Sequence, residues 1–131
     1  MIFVDTGGWF ASIVIEEADH AITKTWFAEN RQTLITTDYI VDETLTLLRA
    51  RRESRKALQI GELFFNGLIA SLHYLSEEEI IEAWKVYKSF SDKEWSFTDC
   101  TSKVVIEKFR ITHAFSFDKH FKQFGNIVIV P

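Results

Sequence analysis

One cysteine, one proline and no apolar stretch near the ~20 residues of a membrane span set the first bounds on this chain. The lone Cys100 excludes an internal disulfide and supplies no cysteine pair for a zinc site, which suits a reducing compartment. The four histidines, His20, His73, His113 and His120, show no helical i, i+4 metal-binding pair. The N-terminus has neither the basic lead nor the long apolar segment of a secretory signal, so a cytoplasmic protein without a membrane partner is expected. Basic charge is also in deficit. The formal net charge of −4 argues against a phosphate-binding surface, except where clustered carboxylates hold divalent cations that reverse the local sign.

What is present is a compact globular composition, 47% hydrophobic and 26% charged, in a length of 131 residues that suits one domain spanning 1–131. Apolar runs with strand character recur at Met1 to Val4, Thr33 to Thr36, Ile69 to Leu75, His113 to Ser116 and Ile127 to Val130. Between them, helical spacing predicts helices over roughly Ala18 to Asn30, Asp38 to Gly67 with a break near Glu53, Glu77 to Phe90, and Asp99 to Phe109. Ser76-Glu77-Glu78-Glu79 has the form of a capping box, and Asp38 after two threonines is a second helix start. Strands alternating with helices predict an α/β fold with three α/β/α layers around a mostly parallel sheet.

On that map four acids stand out. Asp5 ends the first strand, Glu43 lies in the helix after the second, Asp99 opens a helix in SFTDCTSK, and Asp118 follows the fourth strand in AFSFDKHF. The carboxyl edge of a parallel sheet gathers strand ends and helix starts, so these acids converge there if the fold is as predicted. Singly each also fits a turn or a cap. Glu43 is preferred over Asp42 because helical spacing places it beside Ile40 and Leu47, at the buried margin. Clustered carboxylates repel unless some are protonated or a cation binds, and a hard cation such as Mg²⁺ or Mn²⁺ suits an all-oxygen set. Such ions serve phosphodiester hydrolysis.

The order FVDTGGWF, TTDYIVDETLTLL, SFTDCTSKVV and AFSFDKHF resembles the PIN domain family, and the size and single-domain form resemble its VapC-type toxins. The resemblance implies a Mg²⁺- or Mn²⁺-dependent endoribonuclease with Asp5, Glu43, Asp99 and Asp118 as catalytic and metal-binding acids, Asp5 and Asp99 foremost. It also implies an RNA substrate, a cognate antitoxin protein whose amphipathic segment lies in a groove, and a homodimer. Thr6, Thr98 and Ser116 stand beside the acids, where hydroxyls orient carboxylates or cap backbone amides. The basic run Arg49, Arg51, Arg52, Arg55 and Lys56 is a candidate guide for an RNA backbone, a solvated helix face or an antitoxin contact. Trp9, Phe10, Trp26 and Phe27 are candidates for base stacking, core or interface. Lys103, where the family often has small residues, is a counter-charge to the acids, a phosphate contact or a solvated lysine. Gly7 and Gly8 are read as a turn behind Asp5.

Two further readings stay open. One is a PIN-like module that binds RNA or protein without cutting. The other is a phospho-acceptor domain using Asp5, weakened because the stretch reads Asp5-Thr6-Gly7 rather than Asp-x-Asp.

Overall fold

A computed structural model describes all of residues 1–131. Five short strands, β1 (Ile2–Val4), β2 (Leu34–Thr37), β3 (Ser71–His73), β4 (His113–Phe115) and β5 (Val128–Val130), form one sheet in the order β3-β2-β1-β4-β5. Every pairing is parallel, with Phe3 opposite Ile35 on one side and Ala114 on the other. The central strand β1 is buried along its whole length, which is why it reads as an unbroken apolar run.

Six α-helices connect the strands: α1 (Thr6–Ile13), α2 (His20–Glu29), α3 (Asp38–Ala50), α4 (Ser54–Phe65), α5 (Glu77–Ser89) and α6 (Phe97–Lys108). The path β1 to β2 to β3 moves steadily toward one edge, and the next crossover returns to β4 on the other side of β1. With right-handed crossovers, α1 to α4 therefore cover one face and α5 with α6 the other. No helix is long and apolar enough to cross a membrane.

Three caps fix the helix starts. Thr37 accepts a hydrogen bond from the Ile40 amide at 3.1 Å, so the cap of α3 is Thr37 and Asp38 is its first helical residue. Ser76 and Glu79 form the expected capping box on α5. Ser96 and Asp99 form a second one on α6, so Asp99 sits inside the first turn rather than at the helix start. The break near Glu53 is a tight turn in which Arg52 adopts a φ of 61°.

The first helix departs from expectation. Gly7 and Gly8 lie inside α1, not in a turn, although glycine disfavours helices by roughly 1 kcal/mol each. Packing overrides propensity here. Trp9, Phe10 and Ala11 are buried, and a Cβ on Gly8 would stand 2.6 Å from the Phe115 ring. Gly8 is thus what lets α1 lie against the sheet.

The aromatic residues of these helices belong mainly to the interior. Trp9 and Phe10 are buried, while Trp26 and Phe27 pack on Phe115 with ring centroids 4.7 and 5.2 Å away. Base stacking on these four rings is therefore set aside in favour of core and groove roles.

Candidate active site

The strand order reverses beside β1, between β2 on one side and β4 on the other, and the carboxyl edge there is where ligands bind in open α/β sheets. A pocket of about 370 Å³ opens at that edge, lined by Asp5, Thr6, Gly7, Glu43, Glu94, Ser96, Asp99, Asp118 and His120. It contains no apolar side chain. A larger depression of about 800 Å³ lies where β2 and β3 begin, but its lining carries no carboxylate, imidazole or amine. Size and chemistry separate, and the smaller pocket has the chemistry.

Each of the four acids singled out in the sequence reaches this pocket by a different route. Asp5 follows β1 directly, at the N-cap position of α1, with the Thr6 backbone amide beside its carboxylate. Ser116, one residue past β4, donates its hydroxyl to Asp5 Oδ2 at 3.1 Å and accepts the Asp118 amide at 3.0 Å. Glu43, in the second turn of α3, accepts the Thr6 hydroxyl at 2.5 Å, while Asp42 faces solvent. Asp99 is held by the Ser96 amide at 3.0 Å, and Asp118 accepts the His120 amide at 2.9 Å.

Electrostatics show what such crowding costs. Asp5 is pushed up to about 7, chiefly by burial and further by the charges of Asp99 and Asp118, against the hydrogen bonds from the Thr6 backbone amide and the Ser116 hydroxyl that lower it. Asp99 is raised as well, by burial first and by Asp118 next. The buried Cys100 thiol beside it is pushed up to about 11, so it stays protonated and is no nucleophile.

The donor set fits a divalent cation. Oxygen donors dominate, and one ligand atom from each of Asp99, Asp118 and His120 lies within 4.8 Å of the others. Asp5 and Glu43 line the same pocket. His120, Ser96 and Glu94 were not singled out from the sequence. His120 arrives through the 3₁₀ turn Lys119–Phe124, which Asp118 caps. The signal was the Asp-x-His spacing of FDKHF, invisible to a search for helical pairs. Glu94 comes in on a left-handed backbone, φ 58°, a conformation rare outside glycine and common at functional sites.

Other named residues fall elsewhere. Thr98 does not line the pocket; its carbonyl accepts the Thr101 hydroxyl. Lys103 pairs with Glu107 and leans over the Phe90 ring, so it is no counter-charge to the acids. Arg49, Arg51, Arg52 and Arg55 are exposed at the α3–α4 corner. Six to nine residues of α3 and the turn beyond it separate Arg49 to Arg52 from Glu43, or about 10 Å along a helix axis. Arg51 lies over the Phe10 ring at 5.4 Å and 3.9 Å from Glu17.

This geometry has solved relatives. The PIN domain model matches residues 2–127. The 23S rRNA-specific endonuclease VapC20 of Mycobacterium tuberculosis is 30% identical over 131 residues, covering 100% of this chain and 99% of that protein. A VapC ribonuclease of Archaeoglobus fulgidus is 29% identical over 123 residues, 90% of this chain and 77% of that one. The crystal structure of Mycobacterium tuberculosis VapC20, described as a sarcin-ricin loop cleaving toxin, covers both chains completely with a TM-score of 0.92 at 28% identity. With the acids gathered at the switch point of a parallel sheet and a family match along nearly its whole length, this chain belongs to the PIN domain family, among its VapC-type ribonucleases.

Proposed function

We propose that the chain is a Mg²⁺- or Mn²⁺-dependent endoribonuclease, the toxin of a toxin–antitoxin pair, with Asp5, Glu43, Asp99 and Asp118 as its catalytic and metal-holding acids. The observation that carries this reading is one wholly polar pocket with five carboxylates, Asp5, Glu43, Glu94, Asp99 and Asp118, and a single imidazole. Left alone, that charge opposes folding; a hard cation relieves it.

When bound, the cation polarises the phosphodiester and activates the attacking water. The protein's own part is positioning. Ser116 turns Asp5, Thr6 turns Glu43, and the Ser96 amide turns Asp99, each occupying one face of a carboxylate and leaving the rest of it to the pocket. Thr6 and Ser116 thus act through the acids, whereas Thr98 has no such role.

The substrate proposed is a structured ribosomal RNA segment, by analogy with VapC20, a 23S rRNA-specific endonuclease that cleaves the sarcin-ricin loop. Arg49, Arg51 and Arg52 supply the positive surface for its backbone away from the cut. The antitoxin's place is the apolar groove of about 400 Å³ between α1, α2 and α4, lined by Trp9, Ile13, Phe27, Ile60 and Leu63. A homodimer suits the exposed strip Ile81, Trp84, Tyr87 and Phe90 along α5 and its end, since large exposed apolar patches mark interfaces. A cytoplasmic setting completes the reading.

The test is cleavage of a ribosomal RNA fragment by the purified chain in Mn²⁺ and in EDTA. The expected outcome is discrete cutting that EDTA stops and that Asp99→Asn abolishes with its circular dichroism unchanged. Binding without turnover, indifferent to EDTA, would instead favour the non-catalytic module.

A further inference from the structure

His120 is not an acid, yet it stands among the acids. Its Nδ1 lies 3.4 Å from Asp99 Oδ2 and 3.4 Å from Asp118 Oδ1, and its side chain is 24% exposed. These are long for hydrogen bonds to a charged partner, which settle near 2.7–2.9 Å. They are nearer the roughly 3 Å that separates adjacent donor atoms around a cation with bonds of about 2.1 Å in octahedral geometry. The turn that carries the ring is fixed at both ends: Asp118 caps it through the His120 amide, and Phe121 and Phe124 are buried beneath it. The ring is presented to the pocket by backbone geometry rather than by a flexible tether.

We infer that His120 is itself a ligand of the metal site, completing a set with Asp99 and Asp118, and that it makes the site select Mn²⁺ over Mg²⁺. The chemistry of selection is direct. Mg²⁺ takes oxygen donors and keeps its waters, while imidazole nitrogen suits softer first-row ions further along the affinity order. An all-carboxylate pocket discriminates weakly between the two ions; one nitrogen donor tilts it. The inference rests on the metal-dependent reading above and adds a ligand and a preference to it.

The competing role is a protonated His120 acting as counter-ion to Asp99 and Asp118. The two roles predict opposite signs. A ligand, once removed, weakens Mn²⁺ binding; a competing cation, once removed, strengthens the binding of both metals. The experiment is calorimetric titration of metal-free protein with MnCl₂ and with MgCl₂, for the natural chain, His120→Asn and Asp99→Asn. Pulsed electron paramagnetic resonance of the Mn²⁺-loaded protein runs alongside.

The expected result is tighter Mn²⁺ than Mg²⁺ binding and a ¹⁴N coupling on Mn²⁺ from the ring. In His120→Asn that coupling disappears, Mn²⁺ affinity falls on the order of 10-fold or more, and Mg²⁺ affinity changes far less. Equal or tighter binding of both ions by His120→Asn, or no ¹⁴N coupling in the natural chain, overturns the inference. The metal reading itself fails separately, and takes this inference with it, if the natural chain binds neither ion or if Asp99→Asn binds both as the natural chain does.

Discussion

Two buried carboxylates in this molecule meet opposite fates. Glu79, in the first turn of α5, is buried, which by itself raises its pKa, yet it is held down at about 2 by hydrogen bonds from the Ser76 backbone, His73 and Lys108. His73 Nε2 is 3.0 Å from both of its oxygens and Lys108 Nζ is 3.2 Å from Oε2. Asp5 is as thoroughly buried, but its neighbours include Asp99 and Asp118, and it rises to about 7. Burial at Glu79 is answered by cationic partners, whereas at Asp5 two neutral hydrogen-bond donors are outweighed by burial and two neighbouring carboxylates. Glu79 ties β3 to α5 and α6. The Asp5 pocket, on the reading proposed above, has its charge met by a cation from outside the chain.

The largest effect that would sharpen this contrast is Asp5→Asn. Cleavage should fall on the order of a thousandfold while the metal-free protein becomes about 2–4 kcal/mol more stable at pH 8, read by RNA cutting and by thermal melting. A variant that loses stability and activity together would make Asp5 a structural residue like Glu79. Glu79→Gln should do the reverse: lose about 2–3 kcal/mol at pH 7 in a denaturant melt, yet cut RNA normally per folded molecule.

The pH dependence separates the two regions without mutation. Asp5 moves from 3.8 to about 7, so the folded state holds its proton more tightly than the unfolded chain does. Its ionisation is neutral to stability below about pH 4, then costs up to about 1.4 kcal/mol per unit until about pH 7, near 4 kcal/mol in all. Glu79 moves the other way, from 4.5 to about 2, so its contribution is full above pH 4.5 and is lost as pH falls toward 2. Melting of the metal-free natural chain and of Asp5→Asn across pH 4 to 8 should therefore diverge with rising pH, and the divergence should close when Mn²⁺ is added.

The smallest expected effect is at Gly7, which lines the pocket in the first turns of α1, where a Cβ would meet nothing within 4 Å. Gly7→Ala should stabilise the fold by about 0.5–1 kcal/mol, because only helix propensity changes. If it also slows cleavage, the empty space at Gly7 belongs to the substrate.

The acids were legible because one rule places them on a common edge: in a parallel sheet the strand ends lie on one side, and the pairing of β1 with β4 then brings Asp5 and Asp118 together. Glu43 was separable from Asp42 by helical spacing alone, and Asp42 indeed faces solvent while Glu43 lines the pocket. Helix α1 was not legible. Its glycines argue against a helix, and what forms it is long-range packing of Trp9 and Gly8 on Phe115 and its neighbours. His120 was hidden for a related reason, being recruited by a 3₁₀ turn with no periodicity of its own. The arginine run is the converse case: dense in sequence, it lies near the far end of α3 and outside the pocket, so any RNA contact it makes is away from the acids. Local charge density says nothing of direction.

The central claim, that the pocket's unrelieved carboxylate charge is what a divalent cation satisfies, is tested most directly by the protons released on metal binding. Mn²⁺ titrations of the metal-free natural chain at pH 6 and pH 8.5, each in two buffers of different ionisation enthalpy, give that number. With Asp5 near 7, it alone should give up about one proton per binding event at pH 6, other ligands adding to that number, and almost none should leave at pH 8.5. Binding with the same proton count at both pH values, or no binding at either, would contradict the account.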